Sequence, residues 1–487
     1  MLHNRVIRTV VSVFLFMRIL LSYVWFSLIT RPLTPKAKRR EKLEKVHAKN
    51  AAWLYFSFAL LKGVYIKIGQ FLSTQMALLP AVYLVEMTKM QDRLPRASTE
   101  AIRKRIVEAY GKSAEEMFAR FDPEPLACAS IGQVHRVKLK DGREAVIKCK
   151  YPGIDKFFQT DLYVIRGLMP LFVRIIELAY YHERSGIDHN ATIGEFAKYI
   201  GLELDYRNEC RNQQHMYDLL AEMRAKGQVI VPELYHELCT ESIICMQYIE
   251  ATKMVDWYAN PRVPAPKKDW VYRCLLEASL YTIAHHGFFQ ADTHPGNFLV
   301  HDKNPESPDS KATLVMIDFG CSKQLPERFR IGIVDVINGY LTKQNDLVTN
   351  ALWDLGYRTK LYTKDSLGVW VKYGTRVTDE ILKHFRDGTH LIDHLKANLK
   401  EMTAEYIEID QAHRADYIPE EYVMLGRALA TPPIPIDKYQ PRADIIAIVM
   451  PFMSVLAVKA QEDKKRLAAT GESMVTLVPR DRARVSA

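Results

Sequence analysis

Residues 6–30, VIRTVVSVFLFMRILLSYVWFSLIT, are apolar apart from Arg8, Arg18 and small hydroxyl residues. That length suffices to cross a bilayer, which takes about 20 apolar residues. Arg18 lies in the middle, however, where a charge costs on the order of 2.5–3.5 kcal/mol. The segment therefore reads as membrane-associated, spanning or lying flat at the interface, with an organelle transit peptide and an ordinary buried helix as the other readings. Residues 31–45, RPLTPKAKRREKLEK, follow directly and are strongly basic, which suits a negatively charged cytoplasmic or matrix surface. From 46 to 90 apolar residues recur at three- and four-residue steps, predicting helix punctuated by Pro80 and Pro95. Residues 99–120 predict a second amphipathic helix, with Thr99 as its cap and Gly111 interrupting it.

At 122 the period changes to two. Val134, Val137 and Leu139 precede Asp141-Gly142, a tight-turn pair, and Ala145-Val146-Ile147 follow, which predicts a β-hairpin. Helix returns over 155–226. Val229–Val231 and Ser242–Tyr248 read as strands, 268–287 as a helix ending at Gly287, and Phe298–Val300 and Leu314–Ile317 as short strands around a polar loop. From about 325 to 466 the pattern is mostly helical, broken by TPPIPIDKYQP at 431–441, and the last twenty residues are polar. This order predicts a two-lobed α+β fold with a helical piece in front.

Charge sharpens the picture once it is located. The net +10 is concentrated in residues 1–50, which carry eleven Lys/Arg against two Glu, leaving the remainder close to neutral. A basic face spread over a domain is absent, and so nucleic acid is not an expected partner. The seven cysteines are scattered without a C-x-x-C, which excludes a zinc ribbon or disulfide framework and favours a reducing compartment for the main domain.

Three stretches carry candidate chemistry. Lys148 ends the run Ala145-Val146-Ile147-Lys148 after the hairpin turn, as does the strand lysine that pairs with nucleotide phosphates. Asp292 and Asn297, in Asp292-Thr293-His294-Pro295-Gly296-Asn297, have kinase catalytic-loop spacing: a carboxylate near the acceptor hydroxyl and an amide on magnesium. Asp318 closes a short apolar strand before Phe319-Gly320, placing a hard oxygen ligand beside a turn. Each is weak alone; their order and separation make a Mg-ATP site the economical reading. No G-x-G-x-x-G precedes Lys148. The hairpin there reads Ala127-Cys128-Ala129-Ser130-Ile131-Gly132-Gln133-Val134-His135, and a Cβ hinders close approach of backbone amides to phosphate. No A-P-E follows Asp318-Phe319-Gly320, so a peptide-docking segment is not expected.

These residues resemble the UbiB/AarF/ADCK family of atypical, protein kinase-like proteins. The likeness covers roughly residues 60–325 and rests on Lys67-Ile68-Gly69-Gln70 (K-x-G-Q), the alanine-rich run, Glu203-Leu204-Asp205 (E-x-D), and Asp292 to Asn297 (D-P-H-P-G-N, with Thr293 in place of the first proline). The resemblance implies an α+β, two-lobed protein-kinase-like fold with an N-terminal helical extension and a mostly helical C-terminal lobe. The segments it implies are 1–45 as the membrane-associating or targeting piece, 46–121 as the extension carrying K-x-G-Q, 122–250 as the N-lobe, 251–466 as the C-lobe and 467–487 as a polar tail. Asp292, Lys148 and Glu209 would be catalytic, with Glu209 as the helix partner of Lys148. Ala127, Ala129, Ser130, Lys148, Gln247 and Ile249 would hold ATP, and Asn297 and Asp318 magnesium. Lys67, Gln70, Glu203 and Asp205 would gate the pocket. Gln247 stands where a hinge Glu is common.

The function so implied is a Mg-ATP-dependent atypical kinase or ATPase supporting isoprenoid-quinone (ubiquinone) or membrane-lipid metabolism. Its partners would be ATP, a membrane lipid or isoprenoid-quinone precursor, the membrane surface through the N-terminus, and a homodimer mate or proteins of a lipid-biosynthetic complex. Bacterial inner membrane and mitochondrial or plastid membrane are the locations considered. The alternatives are an ATP-regulated, non-catalytic lipid-binding scaffold or chaperone, and a true protein kinase.

Overall fold

A computed structural model describes residues 5–72, 81–90, 96–129, 131–180, 201, 204–291, 295–387, scattered positions between 405 and 428, and 445–471. The chain divides into two compact units, Met1–Arg211 with Glu233–Tyr248, and Asn212–Pro232 with Ile249–Ala487. It is an α+β, kinase-like fold with an N-terminal helix and a helical C-terminal region.

The first unit opens with α1 (Arg5–Trp25), prolonged by a π-helical turn, Phe26–Thr30, then α2 (Lys36–Leu61), α3 (Val64–Leu72) and α4 (Ala81–Thr88). The basic stretch is thus the start of α2, which runs unbroken through residue 45. Next comes α5 (Thr99–Tyr110). Ser98, not Thr99, caps it: its side chain accepts from the Ala101 amide, and Gly111 ends it in the left-handed region at φ 69°. Strands β1 (Arg120–Phe121), β2 (Ala127–Cys128), β3 (Gly132–Lys138) and β4 (Glu144–Lys150) follow. The expected hairpin is β3–β4, turned at Gly142 with φ 92°. Helix α6 (Ile154–Tyr180) and the first residues of α7 (Tyr206–Leu219) continue the unit.

Strand β5 (Val229–Ile230) belongs to the second unit, and β6 (Ile243–Gln247) returns to the first as partner of β4. The period of two sorts this sheet's side chains. Ala145, Ile147, Cys149, Ile243 and Cys245 pack with Ile102 and Ile106 of α5. Val146, Ile244 and Met246 face the other core, built from α1, α2, α3, α4 and α6. Lys148 and Lys150 share the parity of Val146 and project to that second face.

The second unit holds β7 (Thr252–Lys253), α8 (Ala265–Tyr281), β8 (Phe288–Gln290), β9 (Phe298–His301), β10 (Thr313–Met316) and β11 (Ser322–Gln324). One sheet runs β5-β10-β9-β7, and β8 pairs separately with β11. The helical remainder includes α9 (Glu327–Leu341), α10 (Asn345–Asp354), α11 (Lys364–Asp387) and α12 (Ile445–Thr470). Arg330 of α9 is bridged to Asp463 of α12 at 2.9 Å, and α12 extends past 466. The proline-rich break at 431–441 lies outside the described residues.

Candidate nucleotide site

Lys148 sits in mid-ladder on β4, opposite Val134 and Ile244, so its backbone is fixed on both sides. Its Nζ donates to Glu209 Oε1 at 2.6 Å, and the side chains are only 8% and 6% exposed. Glu209 lies in the first turn of α7, where the helix N-terminus favours a carboxylate. Asp205 Oδ1 accepts from the Arg207 amide at 3.0 Å, so this residue caps the same helix. The Tyr206 ring, fully buried, lies 5.5 Å from Lys148 Nζ and 5.9 Å from Lys150 Nζ. Lys150 Nζ donates to the Leu204 carbonyl. Just after α7 begins, the Cys210 thiol is pushed far up by its hydrogen bond with Cys239, by burial and by the nearby Glu209 charge, which makes it a poor nucleophile.

Approach of the hairpin to this cluster depends on Gly132. A Cβ there would lie 2.3 Å from the Cys149 carbonyl oxygen and 2.6 Å from the Tyr206 hydroxyl. The alanine-rich run folds back as β2 against β3, and the Ala129 amide donates to the Gly132 carbonyl at 2.7 Å. That amide is thereby engaged within the hairpin, unlike one held open for phosphate. Gln133 and His135 are buried and structural. Gln133 Oε1 accepts from the Ala97 amide at 3.0 Å, and its side-chain nitrogen meets His135 Nε2 at 2.9 Å. Gln247 is exposed at the end of β6, its amide donating to the Glu233 carbonyl. Lys67 is half-buried on α3.

In the second unit, Asn297 ends a 3₁₀ turn, and its carbonyl accepts from the Ile317 amide at 3.1 Å. This bond extends the β9–β10 pairing one step beyond Phe298 and Met316, so Asn297 and Asp318 leave adjacent strand ends. Asp318 Oδ1 accepts from the Gly320 amide at 3.1 Å, and its carbonyl accepts from the Gln290 side chain. Phe319 is buried in the core, and its carbonyl accepts from Asn212 Nδ2 at 3.0 Å. Ile249 is half-buried in this unit.

The structure thus pairs Lys148 with Glu209, and sets Asn297 beside Asp318. Asp292, Ser130 and Glu203, with the Gln70 side chain, lie outside the described residues. Sequence reasoning missed Tyr206, Lys150, Gln290 and Asn212. Gln290 could have been found in the apolar-then-polar run Phe288-Phe289-Gln290 just before Asp292. Among the described residues no group of three or more His, Cys, Asp or Glu is arranged to hold a metal. An amide oxygen and a carboxylate on neighbouring strand ends do fit magnesium, which takes few protein ligands and completes its shell with phosphate and water.

Comparison with known proteins gives a family for this arrangement. Residues 89–352 match the model of the ABC1 atypical kinase-like domain. An uncharacterized Synechocystis protein is 30% identical over 65% of this chain and 51% of its own length. The chloroplastic protein ACTIVITY OF BC1 COMPLEX KINASE 8 of Arabidopsis thaliana is 31% identical over 63% of this chain and 38% of its own. AarF domain-containing protein kinase 1 of Mus musculus is 29% identical over 60% and 53%. The chain spans about half or less of the length of these relatives.

Proposed function

Because the chain belongs to the ABC1 (UbiB/AarF/ADCK) family of atypical kinase-like proteins, we propose that it is a Mg-ATP-dependent atypical kinase or ATPase that supports isoprenoid-quinone or membrane-lipid metabolism at a membrane. The buried Lys148–Glu209 pair carries this reading. A desolvated, oriented ammonium at the centre of a sheet is the arrangement that steadies a triphosphate.

In this reading Lys148 binds the α- and β-phosphates and Glu209 keeps its ammonium in place. Asn297 and Asp318 supply hard oxygens to magnesium, whose chemistry when bound is neutralisation of phosphate charge. Asp292 acts as the polar group beside the acceptor. Ala127, Ala129 and Ser130 cover the phosphates, while Gln247 and Ile249 line the adenine. Lys67 and Gln70, with Glu203 and Asp205, gate access. The cap that Asp205 forms on α7 links that gate to Glu209 through one helix end.

A scaffold that uses ATP as a conformational ligand is the second reading, favoured by the engagement of the Ala129 amide within its own hairpin. Against a protein kinase stands the short path from Gly320 through β11 to α9 at Glu327, which leaves little chain for a peptide-docking segment.

The test is magnesium-dependent ATP binding and turnover, with and without liposomes. Asp318→Ala abolishes magnesium-dependent binding on the proposed reading; binding at wild-type affinity in that variant would sink it. ATP binding without turnover on any membrane would favour the scaffold.

A further inference from the structure

Helix α1 is apolar on two opposite sides, and the protein covers only one. Ser12, Leu15, Phe16, Ile19, Tyr23 and Phe26 are buried against α2, α3, α4 and α6. This face is fastened by polar bonds as well. Arg8 Nε and a terminal guanidinium nitrogen each reach one carboxylate oxygen of Asp161 on α6 at 2.7 Å, both side chains being buried. The Tyr23 hydroxyl meets His47 Nδ1 and the Tyr83 hydroxyl at 2.6 Å each. On the other side Val6, Val10, Phe14, Leu21, Trp25 and Leu28 recur at helical spacing and are each 59% to 71% exposed. Leu33, 80% exposed, continues this apolar stretch into the turn before α2. There the chemistry switches to an exposed, predominantly basic stretch, with Lys36, Lys38, Arg40, Lys42 and Lys45 against Glu41 and Glu44.

We infer that α1 is an in-plane membrane anchor that stays part of the folded protein, its outer stripe lying in the headgroup–acyl boundary of an anionic bilayer. This rests on the membrane part of the function proposed above and is independent of its nucleotide part. A helix crossing the bilayer would have to leave Asp161, His47 and Tyr83 and open the core. Removal of the segment as a transit peptide would strand the Asp161 carboxylate. Arg18, which would stand mid-bilayer in a span, rests instead over the Trp53 ring, 3.4 Å from its centre. An apolar stripe followed by a cation cluster is what a negatively charged lipid surface complements.

The full chain is floated with vesicles of phosphatidylcholine alone and with about one-third phosphatidylglycerol. Anionic vesicles should bind it, and salt should weaken that binding. The double substitution Phe14→Asp with Leu21→Asp, on the outer face, should lower vesicle binding at least about tenfold. ATP binding and thermal unfolding should stay at wild-type values, which separates this inference from the nucleotide reading. A fluorophore attached through an azido-phenylalanine at positions 10, 14 and 21 should be quenched at one shallow depth. A span would grade the depth by about 10 Å between positions 14 and 21. That grading overturns the inference. So does vesicle binding unchanged in the double variant, or no vesicle binding in wild type with loss of a dimer in the variant, which would make the stripe a contact between copies.

Discussion

Breaking the Lys148–Glu209 pair from either side should unfold the first unit more readily, whereas replacing both members should not. The two side chains are almost fully out of water and 2.6 Å apart. Lys148→Met leaves a carboxylate desolvated at the start of α7; Glu209→Met leaves an ammonium desolvated in the sheet. Removing one member of such a pair costs about 3–5 kcal/mol, whereas exchanging both for apolar side chains is close to neutral. At the lower figure the unfolding constant rises by about two orders of magnitude. At the same figure the melting temperature of a unit of this size falls by roughly 6–12 °C. The assay is thermal and urea unfolding of wild type, both single variants and the double variant, with ATP binding measured on each. The expected pattern is two unstable single variants, a double variant near wild-type stability, and Mg-ATP binding lost in all three. Single variants within about 1 kcal/mol of wild type would refute the desolvation argument. A stable double variant that binds Mg-ATP as wild type does would refute the phosphate role of Lys148.

Burial of His47 among Tyr23 and Tyr83 pulls its pKa down from 6.5 to about 4. The fold therefore favours the neutral ring. The resulting stability, about 3 kcal/mol, is complete above pH 6.5 and is lost as pH falls towards 4; His47→Gln should flatten this acid limb in urea titrations at stepped pH. Gly132→Ala pushes a Cβ into the Cys149 carbonyl and should lower the urea midpoint by the equivalent of about 3 kcal/mol. Arg8→Met strands the buried Asp161 carboxylate and should cost about 3–5 kcal/mol, read as a lower melting temperature of the full chain.

Local signals carried the legible part of the fold. The β3–β4 hairpin announces itself through a period of two broken by Asp141-Gly142, and the cap of α5 was misread by a single residue because Ser98 and Thr99 offer the same hydroxyl. What stayed hidden depends on distant partners. Strands β8 and β11 are three residues each, and their pairing joins Gln290 to Ser322, which no window of sequence connects. The docking of α1 was hidden for another reason: with apolar residues on both sides the helix has no polar face to orient it, and its inner side is marked by distant partners, Arg8 meeting Asp161 and Tyr23 meeting His47 and Tyr83. In the proposed site, motif spacing singles out Lys148, Asn297 and Asp318 as candidates. Tyr206 was not legible, since its place beside Lys148 and Lys150 comes from a helix start more than fifty residues along the chain packing on the face that both lysines share.

The two halves of the proposed site are built with different means of support. Asn297 and Asp318 inherit their spacing from an antiparallel ladder, and the Asp318-Phe319 backbone is tied at both carbonyls by Gln290 and Asn212. On the proposed reading, oxygens so placed would meet magnesium without any ordering of a loop when nucleotide arrives. The phosphate cover is instead a short hairpin closed on itself, with Gly132 required for contact with Tyr206 and the Ala129 amide already bonded. A cover that withholds that amide shifts the work of holding phosphate onto Lys148, a buried cation held in place by Glu209. If that is how the site works, Ala129→Gly should loosen the hairpin, free the amide and tighten ATP binding severalfold while leaving its magnesium dependence intact. Isothermal titration of the two forms decides it, and equal or weaker binding in Ala129→Gly would show that the closed hairpin is not what limits the grip on phosphate.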